Sequence, residues 1–278
     1  MKKLVLTGAA GRLGSHLREP LSKMADVLIS TDLADDVGSL YDGEQYIKAD
    51  LSKLDEIVPL LEGADMVIHF GAIGDEAPFD DILQSNILGA YTIWEAARQN
   101  GVRRVVYASS IHAVGMHPRT DFIGTDAPHK PDTFYGLAKC FAEDLASLYW
   151  DKFQLESVCM RILSCAQPTN ARALGTWLSY DDLIHLVERS INTPVTGNTV
   201  VYGVSNNDRA PVDNSKASYL GYRPKDNAEQ FAEQILAETP EADLTDAAQL
   251  YHGGPFASVE PGNSGLATMN IIDDTKRT

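Results

Sequence analysis

Tyr135 and Lys139 stand four residues apart in Tyr-Gly-Leu-Ala-Lys, with only small or apolar residues between them. On a helix that spacing puts a phenol and an ammonium on one face. An ammonium there favours phenolate, and phenolate accepts a proton far better than a free phenol with a pKa of about 10. The pattern by itself is weak. With 11 tyrosines and 23 lysines plus arginines in 278 residues, roughly one Tyr-x-x-x-(Lys/Arg) arises by accident, and Tyr219 with Arg223 makes a second. Context separates the two. Ser109 and Ser110 end a β-type run upstream of Tyr135, and ligands of a parallel sheet sit at the carboxyl ends of its strands. Hydride removal from an alcohol carbon needs a base for the hydroxyl proton and a group that holds the oxygen. Tyr135 and Ser110 supply both. Tyr219 lies in the turn-rich Ser-Tyr-Leu-Gly-Tyr-Arg-Pro and is read as accidental.

A second chemical signal opens the chain. Gly8, Gly11 and Gly14 follow a strand-like run and open an apolar-periodic helix. Glycines permit the tight turn and let backbone amides approach a pyrophosphate, which the helix N-terminus stabilises. Asp32 ends the second strand-like run. An acid there accepts hydrogen bonds from both ribose hydroxyls and repels a 2′-phosphate, so the cofactor is read as NAD rather than NADP. Gly71, after the fourth run, lets the backbone pass close to the dinucleotide.

These residues need a scaffold that gathers strand ends. Short β-type runs occur at 3–7, 27–31, 45–49, 66–70, 104–109 and 156–162, with helical patterns at 78–100 and 133–153. Strands separated by helix-length segments predict a doubly wound α/β fold with a parallel sheet. The periodicity divides the chain into a Rossmann domain at 1–162, a small substrate lobe at 163–256 interleaved with it, and a tail at 257–278, flexible or in subunit contact. Within the lobe the pattern predicts a helix over 179–192 capped by Ser179, a strand over 199–203, and a helix from about Asp226 to Glu238.

Composition narrows the class. A net charge of −16 argues against a sequence-independent grip on nucleic acid or on an anionic membrane, and an anionic substrate needs a local cation. Cys140, Cys159 and Cys165 form no Cys-x-x-Cys and are odd in number, which fits reduced thiols in the cytoplasm. The start Met-Lys-Lys faintly imitates a leader, but its unbroken apolar run covers only Leu4 to Leu6. No stretch approaches the roughly 18 apolar residues of a membrane span. No metal site is read.

The segments "TGAAGRLG", "SSIHAVG" and "YGLAKCFAEDLASLYWDKF" resemble the extended short-chain dehydrogenase/reductase superfamily, whose members include NAD-dependent epimerases and dehydratases. Within it, "PFDDILQSNILGAY", "MRILSC", "ARALGTWLSYDDL", "VVYGVSNND" and "DNSKASYLGYRPKDNAE" resemble the uronate dehydrogenases. The resemblance spans about residues 1 to 256. It implies NAD-dependent oxidation of a hexuronate at its anomeric carbon to an aldarolactone, by a homo-oligomer. Carried over by motif, Ser110, Tyr135 and Lys139 are catalytic. Lys139 joins Gly8, Gly11, Arg12, Leu13, Gly14, Asp32, Leu33, Asp50, Leu51, Gly71, Ala72, Ile73 and Asn86 in holding the cofactor. Gly74, Ser110, Ile111, His112, Ser164 and Arg172 hold substrate, with the planar Arg172 guanidinium on the carboxylate. Two positions depart from the family: Ile111 replaces an amide and Gly74 a serine, and residues 209–214 lack a usual tryptophan pair. The chemistry is untouched by these changes, but the reading of sugar hydroxyls weakens. A dehydrogenase of another small sugar or sugar phosphate is the sister reading. A nucleotide-sugar epimerase or dehydratase needs a larger lobe, and a non-catalytic NAD-sensing regulator has no need of the base.

Overall fold

The computed structural model describes residues 1–241 and 243–263. Its strands are β1 (Lys3–Thr7), β2 (Val27–Thr31), β3 (Glu44–Tyr46), β4 (Met66–His69), β5 (Arg104–Ser110), β6 (Ile123–Gly124), β7 (Glu156–Ile162), β8 (Asn198–Gly203) and β9 (Val212–Asp213). Its α-helices are α1 (Arg12–Ser22), α2 (Leu54–Leu60), α3 (Phe79–Ile82), α4 (Gly89–Gln99), α5 (Phe134–Phe153), α6 (Ala173–Thr176), α7 (Tyr180–Asn192), α8 (Ala232–Glu238) and α9 (Ala247–Leu250). Seven strands pair in parallel in the order β3-β2-β1-β4-β5-β7-β8. Both faces of the sheet are covered, which is why its strands read as continuous apolar runs rather than alternations. One core holds Val5, Val67, Val105, Ile93, Trp94 and Ala146. The other holds Leu4, Leu6, Leu17, Met160, Leu183 and Leu186.

The strand order reverses at β1, which has β2 on one side and β4 on the other. In this fold the ligand crevice lies outside the carboxyl ends of the strands at that point. Thr7 is level with Thr31 and His69, and Ser110 with Ile162. The β8 strand of the C-terminal part joins the same sheet beside β7.

Three departures from the sequence reading have physical causes. The 78–100 pattern is α3, then a π-helical stretch Leu83–Leu88, then α4; such bulges cluster at functional sites, and this one carries Asn86. The helix expected from Asp226 starts as a 3-10 turn, Ala228–Phe231, before α8. The two-stranded parallel sheet of β6 and β9 is too short to leave a periodic signal. Of the expected tail, residues 264–278 lie outside the described residues, whereas the Gly262 amide donates to Glu76.

Candidate active site

The glycine loop is held by contacts that exclude a side chain. Gly8 has φ +73°, and a Cβ there would come 2.6 Å from the Gly71 nitrogen; a Cβ on Gly14 would come 2.0 Å from the Gly8 oxygen. Gly71 in turn packs on Leu51, whose Cδ1 would lie 2.4 Å from an added Cβ. No side chain caps α1 at Gly11, so its first amides are open to a ligand. Asp32 ties this loop to β2: its carboxylate accepts from the Ala10 amide (3.0 Å) and the Leu33 amide (2.7 Å). Asp50 accepts from the Ser52 amide and hydroxyl. Thr7 Oγ1 bonds His69 Nδ1 at 2.7 Å and accepts from the Gly71 amide. Burial drives His69 down to about 3, so it stays neutral.

The structure assigns Arg12 and Asn86 contacts other than those expected. Arg12 opens α1 beside Leu13, but its guanidinium crosses to the Cys165 carbonyl at 2.9 Å. Asn86 is 2% exposed, and its amide both accepts from the Ile73 amide (2.9 Å) and donates to the Ile73 carbonyl (3.0 Å). It shapes the Ala72–Ile73 loop. Leu33 is largely exposed.

The helix α5 brings the expected trio together. Thr133 caps it by accepting from the Gly136 amide. Glu76, 2% exposed, accepts from the amides of Tyr135 (2.7 Å), Phe134 (3.2 Å) and Gly262 (2.8 Å). Lys139 donates to the Ala108 carbonyl at 2.7 Å, and its Nζ lies 5.2 Å from the Tyr135 ring centre. The Ser110 hydroxyl acts on the Tyr135 phenol and favours its ionised form. Ser109 instead donates to Glu143, which also meets Arg161 and His129 in a buried network. Ser110 is the member of the serine pair that stays outside that network, its hydroxyl accepting from the His112 amide. Burial pushes the Tyr135 phenol up to about 12, the Ser110 hydroxyl lowers it, and Asp132 and Asp75 raise it. Burial brings Lys139 down to about 7, against the pull of Glu143. In the free chain desolvation dominates, so the phenol moves up rather than down.

Across the crevice, Arg172 donates to the His252 carbonyl (2.7 Å) and to Ser164 Oγ (3.4 Å). Burial brings it down to about 10. Among the described residues no carboxylate pairs with it at ion-pair distance. His112 bonds Asp132 through Nδ1, stacks on Phe256 at 4.0 Å and meets Tyr135 edge-on at 5.6 Å. Gly74 is exposed, with nothing within 4 Å of a Cβ built there.

Ile111 requires a correction. It is 1% exposed and packs with Val114, Ile123, Leu163, Tyr202, Val204 and Val212. A side chain without accessible surface offers no edge to a sugar. Ile111→Asn is therefore expected to bury an unpaired amide and lose apolar packing, costing about 2–4 kcal/mol of stability. Denaturant titration at unchanged m-value measures this; a loss below about 0.5 kcal/mol would return Ile111 to the pocket wall.

Sequence reasoning missed Glu76, Asp132, His252 and Phe256. Two are acids in loops, and two lie where periodicity is weak. Tyr219 bonds Thr199 on the far side of β8 and belongs to no site described here.

Residues 4–178 match the sequence profile of the NAD dependent epimerase/dehydratase family. The uronate dehydrogenase of Pseudomonas putida is 44% identical over 263 residues, 94% of this chain and 97% of that protein. The NAD-dependent glucose-6-phosphate dehydrogenase of Haloferax volcanii is 32% identical, over 82% of this chain and 95% of that protein. A solved structure of a mutant uronate dehydrogenase from Agrobacterium tumefaciens, complexed with NAD, matches with a TM-score of 0.89 at 43% identity, covering 94% of this chain and 98% of that one.

Proposed function

This chain belongs to the NAD dependent epimerase/dehydratase family, and we propose that it is an NAD-dependent dehydrogenase of a hexuronate, oxidising the anomeric hydroxyl to give an aldarolactone. One observation carries the reading. Arg172, which pairs with no carboxylate among the described residues, donates to Ser164, two residues beyond Ile162, and Ile162 is level with Ser110 on the neighbouring strand.

The cradle fits a dinucleotide. Gly8, Gly14 and Gly71 leave room where side chains would clash, α1 offers uncapped amides to a pyrophosphate, and Asp32 stands at the ribose end. NAD, when bound, supplies the hydride acceptor. Ser110 holds the anomeric oxygen and Tyr135 takes its proton. Lys139 adds positive charge beside the phenol and a donor for the cofactor ribose. Arg172 and Ser164 hold the substrate carboxylate, and His112 a ring hydroxyl. Residues 163–256 act as the substrate lobe.

A homo-oligomer fits the surface: Leu137, Phe141 and Leu148 lie exposed along one face of α5, near the exposed Tyr91 of α4. A second copy of this chain covers that stripe. A cytoplasmic setting accords with three free, buried cysteines. No described helix is long and apolar enough to cross a membrane.

The test is initial-rate reduction of NAD and NADP against glucuronate, galacturonate, neutral aldoses and sugar phosphates. Hexuronates with NAD should give the highest kcat/KM, because Asp32 faces a 2′-phosphate unfavourably. Equal kcat/KM for the two cofactors removes that role from Asp32; turnover of sugar phosphates alone overturns the substrate.

A further inference from the structure

We infer that Asp132 is a positioning residue for the reaction, acting through His112, in a site that the chain builds from three glycines; the inference rests on the sugar-dehydrogenase reading above. The Asp132 side chain is 0% exposed. Its Oδ2 meets His112 Nδ1 at 2.7 Å, and its Oδ1 accepts from the Thr133 hydroxyl at 2.9 Å. Among the described residues no lysine or arginine pairs with it at ion-pair distance. A buried carboxylate without a cation is costly unless hydrogen bonds hold it. Here the imidazole is the partner that compensates.

The space for that carboxylate is specific. A Cβ on Gly115 or on Gly253 would come 2.0 Å from Asp132 Oδ2, and one on Gly136 would come 3.0 Å from Oδ1. Three separate segments thus converge on one carboxylate: the turn after Ser110, the first turn of α5, and the C-terminal stretch whose His252 carbonyl holds Arg172.

The consequence is a fixed tautomer. A carboxylate only accepts, so His112 Nδ1 carries the proton whether the ring is neutral or charged. The neutral ring then offers Nε2, on the opposite edge, as an acceptor for a sugar hydroxyl. Phe256 stacked at 4.0 Å and Tyr135 edge-on at 5.6 Å hold the ring plane. The same carboxylate also acts through space on Tyr135, adding to its upward shift, and on Arg172, opposing the lowering by burial and Arg119.

The test is a double-mutant cycle on the full chain, with whichever sugar the wild type oxidises best, so that a failed hexuronate assignment leaves it intact. Asp132→Asn keeps the volume but can turn a donor toward Nδ1. It is expected to lower sugar kcat/KM by about 10- to 100-fold, the scale seen when a carboxylate that orients a working histidine is removed, with KM for NAD unchanged. His112→Ala should lose as much, and the double variant no more than His112→Ala alone. Losses that multiply would overturn the inference, as would a matching rise in KM for NAD. Should Asp132→Asn not fold, imidazole ¹⁵N shifts of the wild type, with His112 assigned by the missing signal in His112→Ala, decide it. Protonation at Nδ1 supports the inference and a neutral Nε2–H tautomer refutes it.

Discussion

Replacing Tyr135 with phenylalanine is expected to abolish turnover while leaving NADH binding nearly intact. The substitution removes one oxygen. Ring contacts to His112 and Phe256 persist, and the helix start stays tied through the Thr133 hydroxyl and the Glu76 carboxylate, both of which bind backbone amides. What is lost is the acceptor for the hydroxyl proton, and a positioned general base contributes about 10²–10⁴-fold. That corresponds to about 2.7–5.4 kcal/mol of barrier. The phenol of the free chain stands at about 12, raised by burial, so at neutral pH it is protonated. It becomes a base only as positive charge gathers beside it. Below the phenol's pKa the wild-type kcat should therefore rise with pH, because the deprotonated form is the active one, and the residual rate of the phenylalanine variant should lack that rise. Stopped-flow NADH fluorescence and steady-state rates measure the two halves separately. Retention of more than about a tenth of kcat would exclude Tyr135 as the base.

How much of this was legible depended on how local the signal is. The glycine loop and the Tyr135/Lys139 pair lie within single supersecondary units, where spacing translates directly into geometry. Asp132 and Glu76 do not. Each is an acid in a loop, and its use becomes visible only when the chain brings His112 or the α5 amides to it. Ile111 shows how adjacency misleads. It sits between Ser110 and His112, but it lies in a 3-10 turn with about three residues per turn, so successive side chains point about 120° apart. The Ser110 hydroxyl and the His112 ring make polar contacts while Ile111 points into the apolar cluster with Tyr202 and Val212. Asn86 was expected to hold the cofactor; in the structure a π-helical stretch turns its amide onto both backbone groups of Ile73. Gly74, the other departure, is exposed, and open space around it would admit the serine usual in the resembled family.

Arg172→Ala should remove most activity on acidic sugars and spare any neutral aldose that is turned over. The guanidinium is placed for this role before substrate arrives: Gly254, at φ +60°, leaves a gap where a Cβ would come 2.4 Å from Arg172 Nε, and the His252 carbonyl and Ser164 hydroxyl fix two of its nitrogens. Truncating one partner of a buried, hydrogen-bonded charge pair costs about 2–5 kcal/mol, so kcat/KM for a hexuronate should fall roughly 30- to 5,000-fold. The charges that act at the Arg172 position are Arg119 and, more weakly, the buried Asp132, on a chain of net charge −16. Arg172→Lys keeps the charge but loses the planar two-point geometry, and should recover only part of the loss. The neutral aldose is the control that separates recognition from collapse, since Arg172 also braces the C-terminal stretch. If both sugars lost activity equally, Arg172 would be a brace for His252 and Gly254, and the carboxylate would have to be held elsewhere.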